Sequence, residues 1–135
     1  MWRRYGSVGS NYRLATRASA NDSIIVGCDK SGAFATKGAF PNSRLVCGVG
    51  RDGADNALIA AVDLRVLFEQ FDVLMIGSGD NKFAFLAAQA QSAGLITVGV
   101  IGVGDLARSL EARLDGIIYL ADLTNPMCEH VRSAA

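Results

Sequence analysis

The stretch that most constrains the fold of this chain is FDVLMIGSGDNKF, residues 71–83. Its apolar run, Val73 to Ile76, is short and continuous, which is typical of a strand buried on both faces of a parallel sheet. Two glycines then break the run, and the apolar spacing that follows predicts a helix ending near Gly94. The stretch therefore indicates a strand, a glycine turn and a helix, with Asp80 at the turn.

The position of Asp80 has a functional and a structural interpretation. In open α/β sheets, ligands bind beyond the carboxyl ends of the strands, so a carboxylate there is placed to do chemistry. Aspartate is also a favoured N-cap of the helix that follows such a turn. The two roles are compatible, and capping alone does not decide between them.

The rest of the chain continues this alternation, with short apolar segments and helical patterns joined by glycine-rich turns. Strands are predicted at residues 23–26, 45–47, 73–76, 96–101 and 117–120, and helices at 54–69, 81–92 and 105–113. Such an alternation predicts an α/β fold in three layers, with a mostly parallel sheet of about five strands and helices on both faces. A length of 135 residues suits one domain with one core.

Composition excludes several classes of protein. The apolar runs are too short to span a membrane, and the first ten residues, MWRRYGSVGS, lack the apolar segment of a secretory signal. The cysteines are odd in number and contain no C-x-x-C: Cys28, Cys47 and Cys128. That usage favours reduced thiols in a cytoplasmic protein over a disulfide framework or a zinc ribbon.

The formal net charge is zero, but the charges are unevenly distributed. Up to Arg51, eight basic and two acidic residues give a net charge of +6, and the remainder carries −6. A basic segment beside an acidic site suits a metal-dependent enzyme that acts on a phosphodiester backbone. Mutual neutralisation of the two halves explains the same pattern and is slightly favoured on charge alone.

Three aspartates lie at junctions between predicted strands and helices. Asp55 is in the first turn of a helix, Asp80 follows a strand, and Asp115 precedes the last strand. Parallel strands would put Asp55 and Asp80 at the same carboxyl edge, where Mg²⁺ or Mn²⁺ would offset their repulsion. Asp115 would join them only if the last strand were antiparallel or its loop unusual. On spacing alone, the sequence favours structural roles for these aspartates, as turn residues and helix caps, over a metal site.

The motifs together resemble the NYN domain family, a branch of the PIN-like nucleases. Family members carry a strand followed by S-G-D-x-x-F and a helix, which matches residues 78–83. They also have a G-x-D that opens a helix, as Gly53 to Asp55 does, and an acidic residue before a last apolar strand, as Asp115 is. The match covers roughly residues 23–120, and the order of the motifs is more specific than any one of them.

This resemblance implies a PIN-like or Rossmann-like fold and a metal-dependent ribonuclease that acts on RNA. It implies catalytic and metal-binding roles for Asp55 and Asp80, with Mg²⁺ or Mn²⁺ as the cofactor and Asp115 as a further metal ligand. It also implies a substrate-binding role for four residues around Asp80: Ser78, Gly79, Asn81 and Lys82.

The chain departs from the family pattern in two places. Lys82 stands where many members have a second aspartate, and residues 1–21 do not show the family's first strand ending in aspartate. Catalysis would be impaired by loss of that strand, unless a homodimer or a partner chain supplies it.

The expected organisation is a flexible basic arm at 1–21, an NYN domain at 22–122 and a tail at 123–135.

Two other functions fit the sequence. Residues 48–53, GVGRDG, form a literal G-x-G-x-x-G after a strand and before a helix, the context of a dinucleotide-binding turn. Against it, Asp52 and Asp55 would face the phosphates, and the expected later acidic residue is poorly placed. A third interpretation is a non-catalytic module that binds RNA or protein.

Overall fold

The structure, a computed structural model, describes residues 22–28, 37–102 and 104–120, together with Thr16, Ser133 and Ala134. It divides into two compact units, Met1–Val62 and Asp63–Ala135, which are taken in turn. The arm expected at 1–21 and the tail expected at 123–135 lie almost wholly outside the described residues.

The first unit is built on two parallel strands, β1 (Ile25–Cys28) and β2 (Arg44–Cys47), followed by helix α1 (Gly53–Ala61). Gly27 lets the helix pack directly against β1. A Cβ at Gly27 would lie 2.7 Å from both the Ala54 carbonyl oxygen and the Leu58 Cγ. Since real Cβ atoms essentially never come so close, glycine is required here for the helix to approach the strand.

The single helix predicted over residues 54–69 is wrong, because the chain breaks at Val62 and Asp63. Val62 is extended (φ −81°, ψ 116°), and a new helix, α2 (Leu64–Gln70), begins after Asp63. The Asp63 Oδ1 accepts hydrogen bonds from the backbone N–H of Arg65 at 3.0 Å and of Val66 at 3.4 Å. Asp63 therefore acts as an N-cap inside a continuous apolar pattern and starts a second helix. The periodicity of that pattern predicts a single helix.

The second unit contains a four-stranded sheet in the order β3-β4-β5-β6. The first three strands are parallel, and β6 is antiparallel to β5. Between β3 and β4 the chain forms a 3₁₀ turn (Asn81–Phe83) and helix α3 (Ala84–Ser92), and between β4 and β5 the short helix α4 (Arg108–Glu111). The strands are β3 (Val73–Ile76), β4 (Ile96–Ile101), β5 (Gly116–Tyr119) and β6 (Ser133–Ala134).

The two faces of this sheet differ in burial. The face with Thr97, Gly99 and Ile101 is buried, and at Gly99 a Cβ would lie 2.6 Å from the Leu114 Cδ1. On the other face, Val73, Met75 and Ile96 are 40%, 38% and 52% exposed, whereas Val100, nearer the carboxyl end of β4, is 2% exposed. The prediction that the β3 run is buried on both faces is therefore wrong, since strand residues alternate between faces.

The α/β class with mostly parallel strands is confirmed. The described strands are divided between two hydrogen-bonded sheets of two and four strands, rather than forming one sheet of about five. None of the described helices is both long and apolar enough to cross a membrane.

Candidate functional site at the carboxyl ends of the parallel strands

Asp80 lies in the loop after β3, residues 77–80, which we call the β3 loop. Its backbone is extended (φ −74°, ψ 138°), and its side chain caps the 3₁₀ turn. The Asp80 Oδ1 accepts a hydrogen bond from the Lys82 backbone N–H at 2.9 Å, and the Asp80 N–H donates to the Ser78 Oγ at 3.1 Å. These bonds hold the carboxylate in one local arrangement, so the predicted capping role is observed.

Phe83 anchors the other end of this segment. Its side chain is only 3% exposed, and its backbone N–H donates to the Asp80 carbonyl oxygen at 3.2 Å. Asp80 is half-buried and Asn81 is exposed. The turn is therefore fastened to the core by Phe83 while its polar side chains stay accessible to a ligand.

Gly79 brings a second loop against the β3 loop. The Ala107 N–H donates to the Gly79 carbonyl oxygen at 2.9 Å. A Cβ at Gly79 would overlap the Asp105 carbonyl oxygen and lie 3.2 Å from the Leu106 Cα. We call residues 104–107 the β4 loop. The two loops therefore meet through their backbones at one edge of the sheet.

Asp105 is a candidate residue that the sequence analysis missed. It is exposed in the β4 loop, as Asp80 is half-buried in the β3 loop, and each follows a parallel strand. A signal was present, because Gly102 and Gly104 between β4 and Asp105 repeat the strand–glycine–aspartate pattern of the β3 loop. The edge of β3 and β4 thus carries two acidic residues on adjoining loops.

Asp115 lies at the opposite edge of the same sheet and is engaged with Thr97. Its Oδ2 accepts from the Thr97 N–H at 2.8 Å, and its own N–H donates to the Thr97 carbonyl oxygen at 2.8 Å. Its Oδ1 accepts from the Gln91 Nε2 at 3.3 Å. The carboxylate thus accepts the hydrogen bond of the buried Thr97 N–H, which would otherwise need a backbone carbonyl from a further strand residue.

The structure does not bring Asp115 and Asp80 together. β5 is parallel to β4, so the residue before it lies at the amino end of the strands, whereas Asp80 follows the carboxyl end of β3. From the sequence, an antiparallel last strand or an unusual loop was required to bring Asp115 to Asp80, and β5 is instead parallel to β4. The contacts with Thr97 give this aspartate a structural role.

Asp55 lies in the first turn of α1 and is half-buried. It belongs to the first unit and Asp80 to the second, and the strands before them are in different sheets. A common metal site for Asp55 and Asp80 stays a prediction.

The Gly48–Gly53 turn has the predicted context, since it joins β2 to α1. A Cβ at Gly48 would overlap the Gly53 backbone, so the ends of the turn touch. Asp52 has a left-handed backbone (φ 59°) and makes no side-chain capping hydrogen bond to the described helix α1. Together with Asp55 it puts negative charge at the helix N-terminus, where the helix dipole would otherwise favour an anion.

No group of three or more histidine, cysteine, aspartate or glutamate residues is placed to hold a metal ion within the described parts of the chain. No protein-family model matches the chain, and a search of curated proteins finds no match. The NYN resemblance stays a prediction based on the order of its motifs.

Proposed function

We propose that this chain is a ribonuclease-like domain that uses Mg²⁺ or Mn²⁺ to act on RNA phosphodiester bonds at the edge of β3 and β4. The observation that supports this proposal is the backbone contact between Gly79 and Asp105. It sets Asp80 and Asp105 on adjoining loops beyond the carboxyl ends of parallel strands, the usual ligand position in such sheets.

The acidic residues at this edge suit a hard divalent cation. Mg²⁺ is usually held by one or two carboxylates and keeps several waters or substrate phosphates as its other ligands. Asp80 accepts the Lys82 N–H through Oδ1, and a carboxylate retains further lone pairs for a cation. When bound, the metal would supply an activated water and neutralise charge on the phosphoryl group.

The neighbouring residues have separate roles in this proposal. The Ser78 hydroxyl orients the β3 loop by accepting the Asp80 N–H, and Gly79 allows the approach of the β4 loop. The exposed Asn81 amide and the Lys82 ammonium are suited to phosphate and sugar oxygens of RNA. Asp55 remains a candidate metal ligand, and Asp115 is left out because its carboxylate is bonded to Thr97.

The decisive experiment measures cleavage of single-stranded RNA in Mn²⁺, with EDTA as the block. Asp80→Asn keeps the size and a capping oxygen but removes the charge, and we expect it to lower the cleavage rate at least about 100-fold. Asp115→Asn is the matched control, since it removes a carboxylate from the opposite edge and should leave the rate within a few-fold. Cleavage that survives Asp80→Asn unchanged would contradict the proposal.

A nucleotide-binding function is the second candidate, and the observed strand–turn–helix context of the Gly48–Gly53 turn favours it. NAD or NADP should then raise the melting temperature, and Gly48→Ala should abolish that rise. No rise with either cofactor would remove this candidate. RNA binding without cleavage would instead support a non-catalytic module.

A further inference from the structure

Two cysteines meet at the carboxyl ends of β1 and β2. Cys28 and Cys47 are the last residues of these strands and lie directly opposite each other in the parallel ladder. Their Sγ atoms are 3.6 Å apart, and both thiols are reduced in the structure. Cys28 is 8% exposed, whereas Cys47 is exposed to solvent.

We propose that Cys28 and Cys47 form a redox modification site, which closes reversibly to a disulfide by exchange with a low-molecular-weight organic disulfide. The proposal depends on the strand register and on the sulfur positions, and it is independent of both functions proposed above.

The geometry allows closure with little movement. A disulfide bond is about 2.05 Å long, so from 3.6 Å each sulfur has to move by roughly 0.8 Å. Neighbouring strands are about 4.8 Å apart, within the Cα separations that disulfides span. Because the two residues are paired in the ladder, rotation of the side chains is sufficient and the strands can stay in place.

The unequal exposure of the two thiols gives each one a role. The Cys47 thiolate attacks the organic disulfide, forms a mixed disulfide and releases one small thiolate. The Cys28 thiolate then attacks the Cys47 sulfur and expels the second small thiolate. The protein loses two protons and two electrons, which reduce the reagent to two thiols. An accessible attacking cysteine beside a resolving cysteine is the usual arrangement of redox-sensitive thiols.

The bond would form at the base of the Gly48–Gly53 turn. Cys47 immediately precedes Gly48, and the Gly48 N–H donates to the Cys28 carbonyl oxygen at 3.1 Å. Oxidation would add a covalent link beside this hydrogen bond, and would therefore join β1 to the start of the turn.

The test incubates the reduced full chain with oxidised glutathione and follows intact mass and peptide maps. We expect a product lighter by two hydrogen atoms, in which the peptides containing Cys28 and Cys47 are linked, and its reversal by reduced glutathione. Cys128→Ser should give the same product at the same rate, because the proposed disulfide joins Cys28 to Cys47. A link that involves Cys128, or no loss of two hydrogens, would overturn the proposal.

Single substitutions separate the two roles. Cys28→Ser should accumulate glutathione on Cys47, because the resolving thiol is gone. Cys47→Ser should slow modification of Cys28 at least about 10-fold, since that thiol is shielded. Equal reactivity of the two thiols contradicts the proposed order, provided circular dichroism shows both variants to be folded. Should either variant unfold, the Cys128→Ser measurement still decides whether the pair closes.

Discussion

The Gly48–Gly53 turn and the β3 loop look alike in sequence but are held by different contacts. Each follows a parallel strand, contains glycines and carries an aspartate near the start of the next helical turn. In the Gly48–Gly53 turn, the two glycines that close the turn touch each other. In the β3 loop, Gly79 touches residues of the β4 loop, more than twenty positions further along the chain.

The aspartates differ in the same way. The Asp80 side chain accepts the Lys82 N–H in an extended conformation, whereas Asp52 adopts a left-handed backbone. The contact between glycines that closes the first turn is therefore local, whereas Gly79 takes part in a tertiary contact that brings a second acidic residue alongside. Only the second kind of contact collects functional groups from distant parts of a chain.

The largest effect is expected for Gly79→Ala. The new Cβ would overlap the Asp105 carbonyl oxygen, so the β4 loop has to move, and we expect the free energy of unfolding to fall by about 3 kcal/mol. Urea denaturation measures this change. Gly48→Ala should destabilise by a similar amount, because its Cβ overlaps the Gly53 backbone.

Amide NMR shifts in these two variants test the comparison itself. Gly79→Ala should shift the Leu106 and Ala107 amides, far away in sequence, whereas Gly48→Ala should act mainly on the turn and the start of α1. Amide shifts far from the substitution in Gly48→Ala, together with only local shifts in Gly79→Ala, would reverse our distinction between the turns.

A smaller loss of stability is expected for substitutions of Asp115, at the opposite edge of the second sheet. Asp115→Ala removes the acceptor of the buried Thr97 N–H, and an unsatisfied buried donor should lower the free energy of unfolding by about 2 kcal/mol. Asp115→Asn keeps an oxygen and should lose less than half of that. Thermal or urea unfolding of the two variants would show whether Asp115 is structural. Equal losses of unfolding free energy in Asp115→Ala and Asp115→Asn would argue against the hydrogen bond as the cause.

Gly50→Ala tests backbone strain without a steric clash. Gly50 has φ +79°, and apart from Gly50 itself and its two chain neighbours no heavy atom of the described residues lies within 4 Å of its Cβ position. We expect urea denaturation to show a loss of about 1 kcal/mol, from the left-handed conformation alone. A loss as large as that of Gly48→Ala would show that the turn is strained as a whole.

The smallest change in stability is expected for Asp80→Asn. Asparagine caps as well as aspartate, so the free energy of unfolding should change by less than about 0.5 kcal/mol. That near-neutrality is useful, because a loss of Mn²⁺ binding in this variant would then report on charge rather than on folding. A large loss of stability would instead assign Asp80 mainly to structure.

The sequence was sufficient for features whose contacts are local. Alternating apolar runs and glycine turns correctly predicted the α/β class, and with it the strand, turn and helix around residues 48–53. Asp63 could have revealed the helix break, since a capping residue inside an apolar pattern is a local signal.

Features that depend on partners distant in sequence were beyond reach. The division of the strands between two sheets depends on which strands pair. The contact of Gly79 with the β4 loop depends on how the chain returns after β4, and that contact is what sets Asp105 beside the β3 loop. The parallel direction of β5 likewise decides the edge at which Asp115 lies.

Because Gly79 meets its neighbour through main-chain atoms, the spacing of the two loops is independent of the side chains at positions 80 and 105. The exposed side chain at position 105 can therefore be exchanged while this contact is retained, whereas a replacement at position 80 also has to cap the 3₁₀ turn as Asp80 does. An engineer could graft another ligating group, such as a histidine, at position 105 beside Asp80 without redesigning the sheet.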